Sequence, residues 1–192
     1  MKALLLSVRP EHAIKILNGE KTLELRKGVP KGFKGWVYVY VTKGKLYLWS
    51  YGRIKENSNW EWETIYQLTQ PYHARFSDAL NGTIPFRFWF EEYEEVLVQH
   101  HIDSEQIERV LKQACIEHDD LDNYVGNKET IYAWHIKKLE VFDKPMKLGE
   151  FQNYMPKSND IPEALITSSW QILHQPLTKA PQSYQYVYVK GE

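Results

Sequence analysis

The stretch LLLSVRPEHAIKILNGEKTLELRKGVPKGFKGWVYVYVTKG, residues 4–44, decides how this chain folds. Its centre, Gly19-Glu20-Lys21-Thr22-Leu23-Glu24-Leu25-Arg26, switches from helical to strand period within a few residues. Upstream, Ala13, Ile14 and Leu17 recur at helical spacing. Pro10 takes a favoured first helical position, and Glu11 sits where a carboxylate meets the positive helix end. Gly19 stands where a helix terminus wants a left-handed residue. These signals predict a short amphipathic helix over residues 10–18. Downstream, Leu23 and Leu25 alternate with Thr22, Glu24 and Arg26, predicting a strand over 21–26 with one polar face.

The flanks supply the rest of a small sheet. Lys2–Val8 is too continuously apolar for a half-exposed strand and predicts a buried one. Trp36–Thr42 predicts another, and Leu46–Ser50 continues beyond a turn at Lys43-Gly44-Lys45. Residues 52–83 suggest an irregular, aromatic-spotted insertion, closed by an Asn81-Gly82 turn that leads into a strand over Thr83–Phe90. Asp103 or Ser104 caps a helical excursion around 103–118, its helix running to about Ile116 on a stripe of Ile107, Val110, Leu111 and Ala114. Asp119, Asp120 and Asp122 predict a loop, Ile131–Phe142 a strand, and Tyr184–Val189 a last strand. Pro145, Pro156 and Pro162 punctuate the coil between them. No strand-helix-strand unit repeats with helices of ordinary length, which argues against a doubly wound parallel sheet. The expected fold is α+β: a small bent β-barrel, mixed or antiparallel, with flanking helices, in one domain over 1–192.

The 192 residues are 43% apolar and 14% aromatic, enough for a core without disulfide staples. Cys115 is the single cysteine. It excludes an internal disulfide framework and a four-cysteine zinc site, and it fits a reducing, cytoplasmic setting. Arg9, Pro10 and Glu11 end the first apolar run too early for a leader or a membrane span, so no membrane partner is expected. Net charge is −1, but residues 1–55 carry 12 Lys/Arg against 3 acids, whereas 56–192 carry 12 against 22. That excess points to a basic face for an anionic ligand, unless the two segments interleave in space and neutralise each other.

The opening stretch resembles the start of an ASCH domain, of the PUA-like superfamily. The shared features are a strand, the Arg9-Pro10 helix start, a short helix, Gly19-Glu20-Lys21-Thr22-Leu23-Glu24-Leu25-Arg26, and Trp36-Val37-Tyr38-Val39-Tyr40. YAWHIKKLEVFDKP (132–145) and APQSYQYVYV (180–189) are also similar to parts of that family. The resemblance implies a PUA-like barrel with a cleft near the first helix, and RNA or a modified nucleobase as ligand. In the cytidine-amidohydrolase branch of the family that it resembles, the position aligning with Lys21 holds the proposed base or nucleophile, the position of Glu24 holds a threonine, and a distant glutamate completes the set. Glu91, Glu92 and Glu94 are the candidates for that glutamate. Glu24 in place of threonine, and the longer chain, set this sequence apart from that branch.

Lys21 and Glu24 are the candidate catalytic pair, and Arg9, Lys15, Lys21, Glu24, Arg26 and Lys27 the candidate ligand-binding set. Desolvation by Leu17, Leu23 and Leu25 lowers a lysine pKa toward that of a base or nucleophile, while a nearby carboxylate favours the ammonium. Strict alternation puts Lys21 and Glu24 on opposite faces. They share a cleft only if Lys21 is still in the turn or a bulge intervenes. Arg26, Lys27, Lys31 and Lys34 supply charge for a phosphate, and Trp36, Trp49, Trp60, Trp62 and Trp134 are candidates to stack a base.

Other chemistry-bearing residues carry blander explanations. His100-His101 with His118, Asp119 and Asp120 lack metal-ligand spacing, so neither a metal nor a cofactor is expected. Ser168 and Ser169 lack a nucleophile elbow, and Gly28, Gly32 and Gly35 form no phosphate loop. Cys115 is expected to be buried in the second helix, His135 to be structural, and Glu91–Glu95 to be a solvated strand end. Three functions compete. They are an RNA- or nucleotide-binding module, a hydrolase on RNA or on a modified nucleoside such as N4-acylcytidine, and a protein-interaction module using 52–83 and 146–180.

Overall fold

The structure, a computed structural model, describes residues 1–54, 62–70, 79–98, 104–154 and 175–189. In chain order its elements are β1 (Lys2–Val8), α1 (Pro10–Leu17), β2 (Leu23–Arg26), β3 (Gly35–Val41), β4 (Tyr47–Ile54), β5 (Trp62–Thr69) and β6 (Ile84–Phe90). There follow β7 (Tyr93–Leu97), α2 (Ser104–Ala114), α3 (His118–Val125), β8 (Thr130–His135), β9 (Lys137–Met146), β10 (Phe151–Asn153) and β11 (Tyr184–Val189). The class is mixed α+β. Its strands group into a six-stranded sheet ordered β10-β11-β1-β3-β6-β9, a three-stranded sheet ordered β2-β8-β7, and the β4–β5 pair.

β1 lies parallel to β3 and antiparallel to β11. Leu4 and Leu6 on one side join Val37, Val39, Phe86 and Phe88 in one core, while Ala3 and Leu5 on the other join Tyr38, Phe151 and Val187 in another. Both faces of β1 are covered, which is why its sequence is a continuous apolar run. A third core forms where Leu23 and Leu25 of β2 meet Ile107, Val110 and Leu111 of α2 and Leu121 and Val125 of α3. With its apolar side committed there, β2 turns Glu24 and Arg26 the other way.

Several elements differ from the sequence expectation. The 52–83 stretch is not irregular throughout: β5 pairs with β4 from Tyr47↔Thr69 to Ile54↔Trp62. The expected acidic loop is helix α3, where Asp119 and Asp120 face the positive helix end and Leu121 and Val125 bury one turn apart. The strand expected over 131–142 is two strands in different sheets. They part at Ile136, whose N–H donates to the Thr22 carbonyl at 3.0 Å, and Lys138 takes φ 47°. Glu91 and Glu92 are exposed at the end of β6, as expected, whereas Tyr93–Glu95 already belong to β7, paired with β8. Cys115 is not sealed inside α2. It follows the helix with φ 52° and is half-buried. The expected Asn81-Gly82 turn is present, with Asn81 Oδ1 accepting from the Leu48 N–H at 2.8 Å. Asp103, Pro156 and Pro162 lie outside the described residues. Among the described residues, no helix is long and apolar enough to cross a membrane.

Candidate functional site

A left-handed glycine cap places Lys21. Gly19 takes φ 73°, its N–H donates to the Ile16 carbonyl at 3.0 Å, and the Glu20 N–H donates to the Lys15 carbonyl at 2.9 Å. The Lys21 N–H bonds that same Lys15 carbonyl at 2.9 Å, and the Thr22 N–H reaches the Gln113 carbonyl at 2.9 Å. Lys21 therefore belongs to the turn, since β2 starts at Leu23. The conflict with strand alternation disappears, and Lys21 meets the polar face of β2.

Three charged side chains converge there. The Lys21 ammonium donates to the Ala114 carbonyl at 2.8 Å and lies 3.4 Å from Glu24 Oε2. Its charge also offsets the negative C-terminal end of α2. Arg26 Nη2 lies 2.7 Å from Glu24 Oε1 and donates to the Ser7 carbonyl at 2.8 Å. Lys21 is 3% exposed and Glu24 6%. All three border a cavity of about 470 Å³, a volume suited to a small ligand. Two cations against one carboxylate leave a positive excess at its wall. Burial pushes the Lys21 ammonium below the ordinary lysine range, against the opposing pull of Glu24. Burial also works against the Glu24 carboxylate, but Lys21, Arg26 and His12 outweigh it and hold the carboxyl below its ordinary range.

His12, on α1, borders the same cavity. Arg9 Nη2 lies 3.0 Å from His12 Nε2. A guanidinium can only donate, so Nε2 accepts and the neutral ring carries its proton on Nδ1. Burial, then Lys21, hold the imidazole below the ordinary histidine range. The shifts of His12 and Glu24 predict acid lability of one sign. Where the folded pKa is depressed, the unfolded chain takes up the proton first, so stability present above the unfolded pKa is lost as pH falls through the folded one. Urea midpoints measured from neutral pH downward should therefore decline in two stages, below the histidine range and then below the carboxylate range. His12→Gln should remove the first stage and keep the second.

The remaining expected site residues divide. Arg9 borders the cavity with its side chain 68% exposed, 3.6 Å from Glu11. Lys15 is not on the cavity wall. Its ammonium donates to the Cys115 carbonyl at 2.8 Å, beside the end of α2. Lys27 is also off the wall, its ammonium 5.2 Å from the Tyr124 ring centroid. Glu91 and Glu92 pair with Lys137, and Glu94 with Arg109; none of the three borders the cavity. His135 Nε2 lies 3.7 Å from Glu94. Trp134 is core, Trp36 carries the Arg87 guanidinium 4.2 Å from its ring, and Trp49 Nε1 donates to Thr69 at 2.8 Å. Trp60, the Trp62 side chain, His100, His101, Ser168 and Ser169 lie outside the described residues. Among the described residues, no three His, Cys, Asp or Glu side chains gather as metal ligands.

Sequence reasoning missed His12, and with it Asp120, Asn123, Tyr124 and Gln182, which border the cavity too. The helical spacing of Leu121 and Val125 was the available signal for α3.

The chain thus combines a mixed α+β fold with a cation-lined cavity beside its first helix. No family model and no curated protein matches the chain by sequence. Among solved structures it is similar to ASCH from Zymomonas mobilis, with TM-score 0.54 and 14% identity over 97% of this chain and 87% of that one. Two single-substitution variants of that protein are similar to it as well. Their TM-scores are 0.55 and 0.54 and their identities 13% and 14%, over 97% and 98% of this chain and 88% and 91% of theirs. The chain has an ASCH-like fold, as its opening motif implied.

Proposed function

We propose that this chain binds RNA or a nucleotide in the cavity beside Lys21, Glu24 and Arg26. One observation carries the proposal: two cations share one carboxylate, nearly sealed from water, at the wall of a cavity of about 470 Å³. An anion entering there meets uncompensated positive charge where screening is weak. Glu24 orients both cations, and exposed Arg9 adds charge at the wall. The ASCH-like fold agrees with this function, and so does a cytoplasmic setting, since one cysteine needs no oxidising compartment. We take the six- and three-stranded sheets as parts of a small bent barrel, supported by Trp134 of β8 packing into the core of the larger sheet.

The test is binding of short single-stranded RNA and a mononucleotide panel across a salt series. Affinity should fall steeply with salt. Arg26→Ala and Lys21→Ala should each weaken binding about tenfold or more, the scale of a lost charge-assisted hydrogen bond. No binding at low salt, or binding untouched by both substitutions, refutes the proposal.

Hydrolysis is the second reading, favoured by the desolvated Lys21 ammonium 3.4 Å from Glu24. Lys21 would act as base or nucleophile on RNA or on a modified nucleoside such as N4-acylcytidine, with Glu24 orienting it. Equal product from wild type and Lys21→Ala ends that reading.

A further inference from the structure

We propose that one face of α3, with Gln182 opposite, forms a nucleobase subsite of this cavity. The inference rests on the nucleotide-binding proposal above and adds which part of the ligand is recognised, and by what. Leu121 and Val125 fix α3 in the core it shares with α2 and β8. Asp120, Asn123 and Tyr124, at i, i+3 and i+4, then fall together on another helix face, and all three border the cavity.

Tyr124 is held at its polar tip. The Lys27 backbone N–H bonds the phenol oxygen, and the Lys27 ammonium lies 5.2 Å from the ring centroid. A ring positioned this way at a cavity wall is a stacking platform for a base of any sequence. Across the cavity, Ser7 grips the chain on both sides of Gln182. Its Oγ donates to the Pro181 carbonyl at 2.6 Å, and its N–H donates to the Ser183 carbonyl at 2.9 Å. The carboxamides of Asn123 and Gln182 have no hydrogen-bond partner among the described residues, and each offers a donor and an acceptor that match the edge of a base. Asp120 makes the α3 wall unfavourable for phosphate, whereas Lys21 and Arg26 favour it. The ligand unit is therefore one nucleotide, its base on α3 and its phosphate toward the two cations.

The test titrates the full chain with the four ribonucleoside monophosphates, ribose 5-phosphate and an RNA hexanucleotide. Nucleotides should bind about tenfold or more tighter than ribose 5-phosphate, the scale of a stacked base. Tyr124→Ala and Tyr124→Leu should both abolish that advantage and leave ribose 5-phosphate binding unchanged. Leucine restores bulk without an aromatic face, so equal loss separates stacking from packing. Asn123→Ala combined with Gln182→Ala should level the differences among the four bases. A hexanucleotide that outcompetes every free nucleotide identifies an RNA chain as the source of the unit, and the reverse identifies a free nucleotide. If wild type gains nothing from a base, or keeps its gain in Tyr124→Ala, the subsite is overturned while the phosphate end stands. If nothing binds, ribose 5-phosphate included, both proposals fall.

Discussion

Glu24→Ala is expected to lower folding stability by about 3–5 kcal/mol, the usual cost of stripping one partner from a buried ion cluster. In the native chain Glu24 faces Lys21 at 3.4 Å and Arg26 at 2.7 Å. Without it, the hydrogen-bond partners of the two cations among the described residues reduce to single backbone carbonyls, Ala114 for Lys21 and Ser7 for Arg26. The two cations then repel each other in a poorly hydrated space. Arginine cannot shed its proton, so Lys21, already lowered by burial, gives way. A lysine whose folded pKa lies below its unfolded one gains stability as pH rises, so part of the loss should return in alkaline solution. Urea unfolding at neutral and alkaline pH measures both effects. A loss below about 1 kcal/mol, the range of exposed ion pairs, would mean that water already screens the cluster. The complementary variant replaces all three residues with apolar ones of similar size. It should be close to wild type in stability, because a buried ion cluster rarely outperforms apolar packing, yet it should bind no anion. Stability and anion binding would then be separated, which is what a functional cluster requires.

The sequence makes this cluster legible only up to one ambiguity. Alternation sends Lys21 and Glu24 to opposite faces, and the turn escape was one of two. What decides it is a set of backbone bonds from Gly19, Glu20 and Lys21 to the last turn of α1. Elements with local signals are equally readable: Lys2–Val8 through its unbroken apolar run, and α1 through Pro10 and Gly19. Elements defined by distant partners are not. Trp62–Thr69 is a strand because β4 lies beside it, and Ile136 breaks a strand because its N–H reaches Thr22, far back in the chain. Asp119 and Asp120 suit a loop and a helix N-terminus alike, so composition could not reveal α3. The rest of the cavity lining, Asn123 and Tyr124 together with Gln182, depends on that helix and on Ser7 holding the chain before β11. No local pattern joins residues so far apart.

Trp134→Ala should cost about 3–5 kcal/mol, as large aromatic truncations in a packed core do, and should also loosen the site. Trp134 belongs to β8, in the smaller sheet, yet it is 0% exposed within the core of the larger one. Its ring sits 4.9 Å from Phe90 and 5.0 Å from Tyr184, centroid to centroid. In register it lies directly opposite Glu24 on β2. The side chain that joins the two sheets therefore also stands beside the carboxylate, on the same face of the smaller sheet. Removing it leaves a void beside Glu24, so nucleotide affinity should fall together with stability. Trp134→Phe should behave differently. The indole Nε1 is buried with no hydrogen-bond partner among the described residues, so the smaller ring removes an unsatisfied donor while filling most of the space. Its cost should stay below about half that of alanine, with affinity retained. Urea unfolding and nucleotide titration of both variants provide the check. An alanine variant that loses no more than the phenylalanine one would mean that Trp134 does not tie the sheets together.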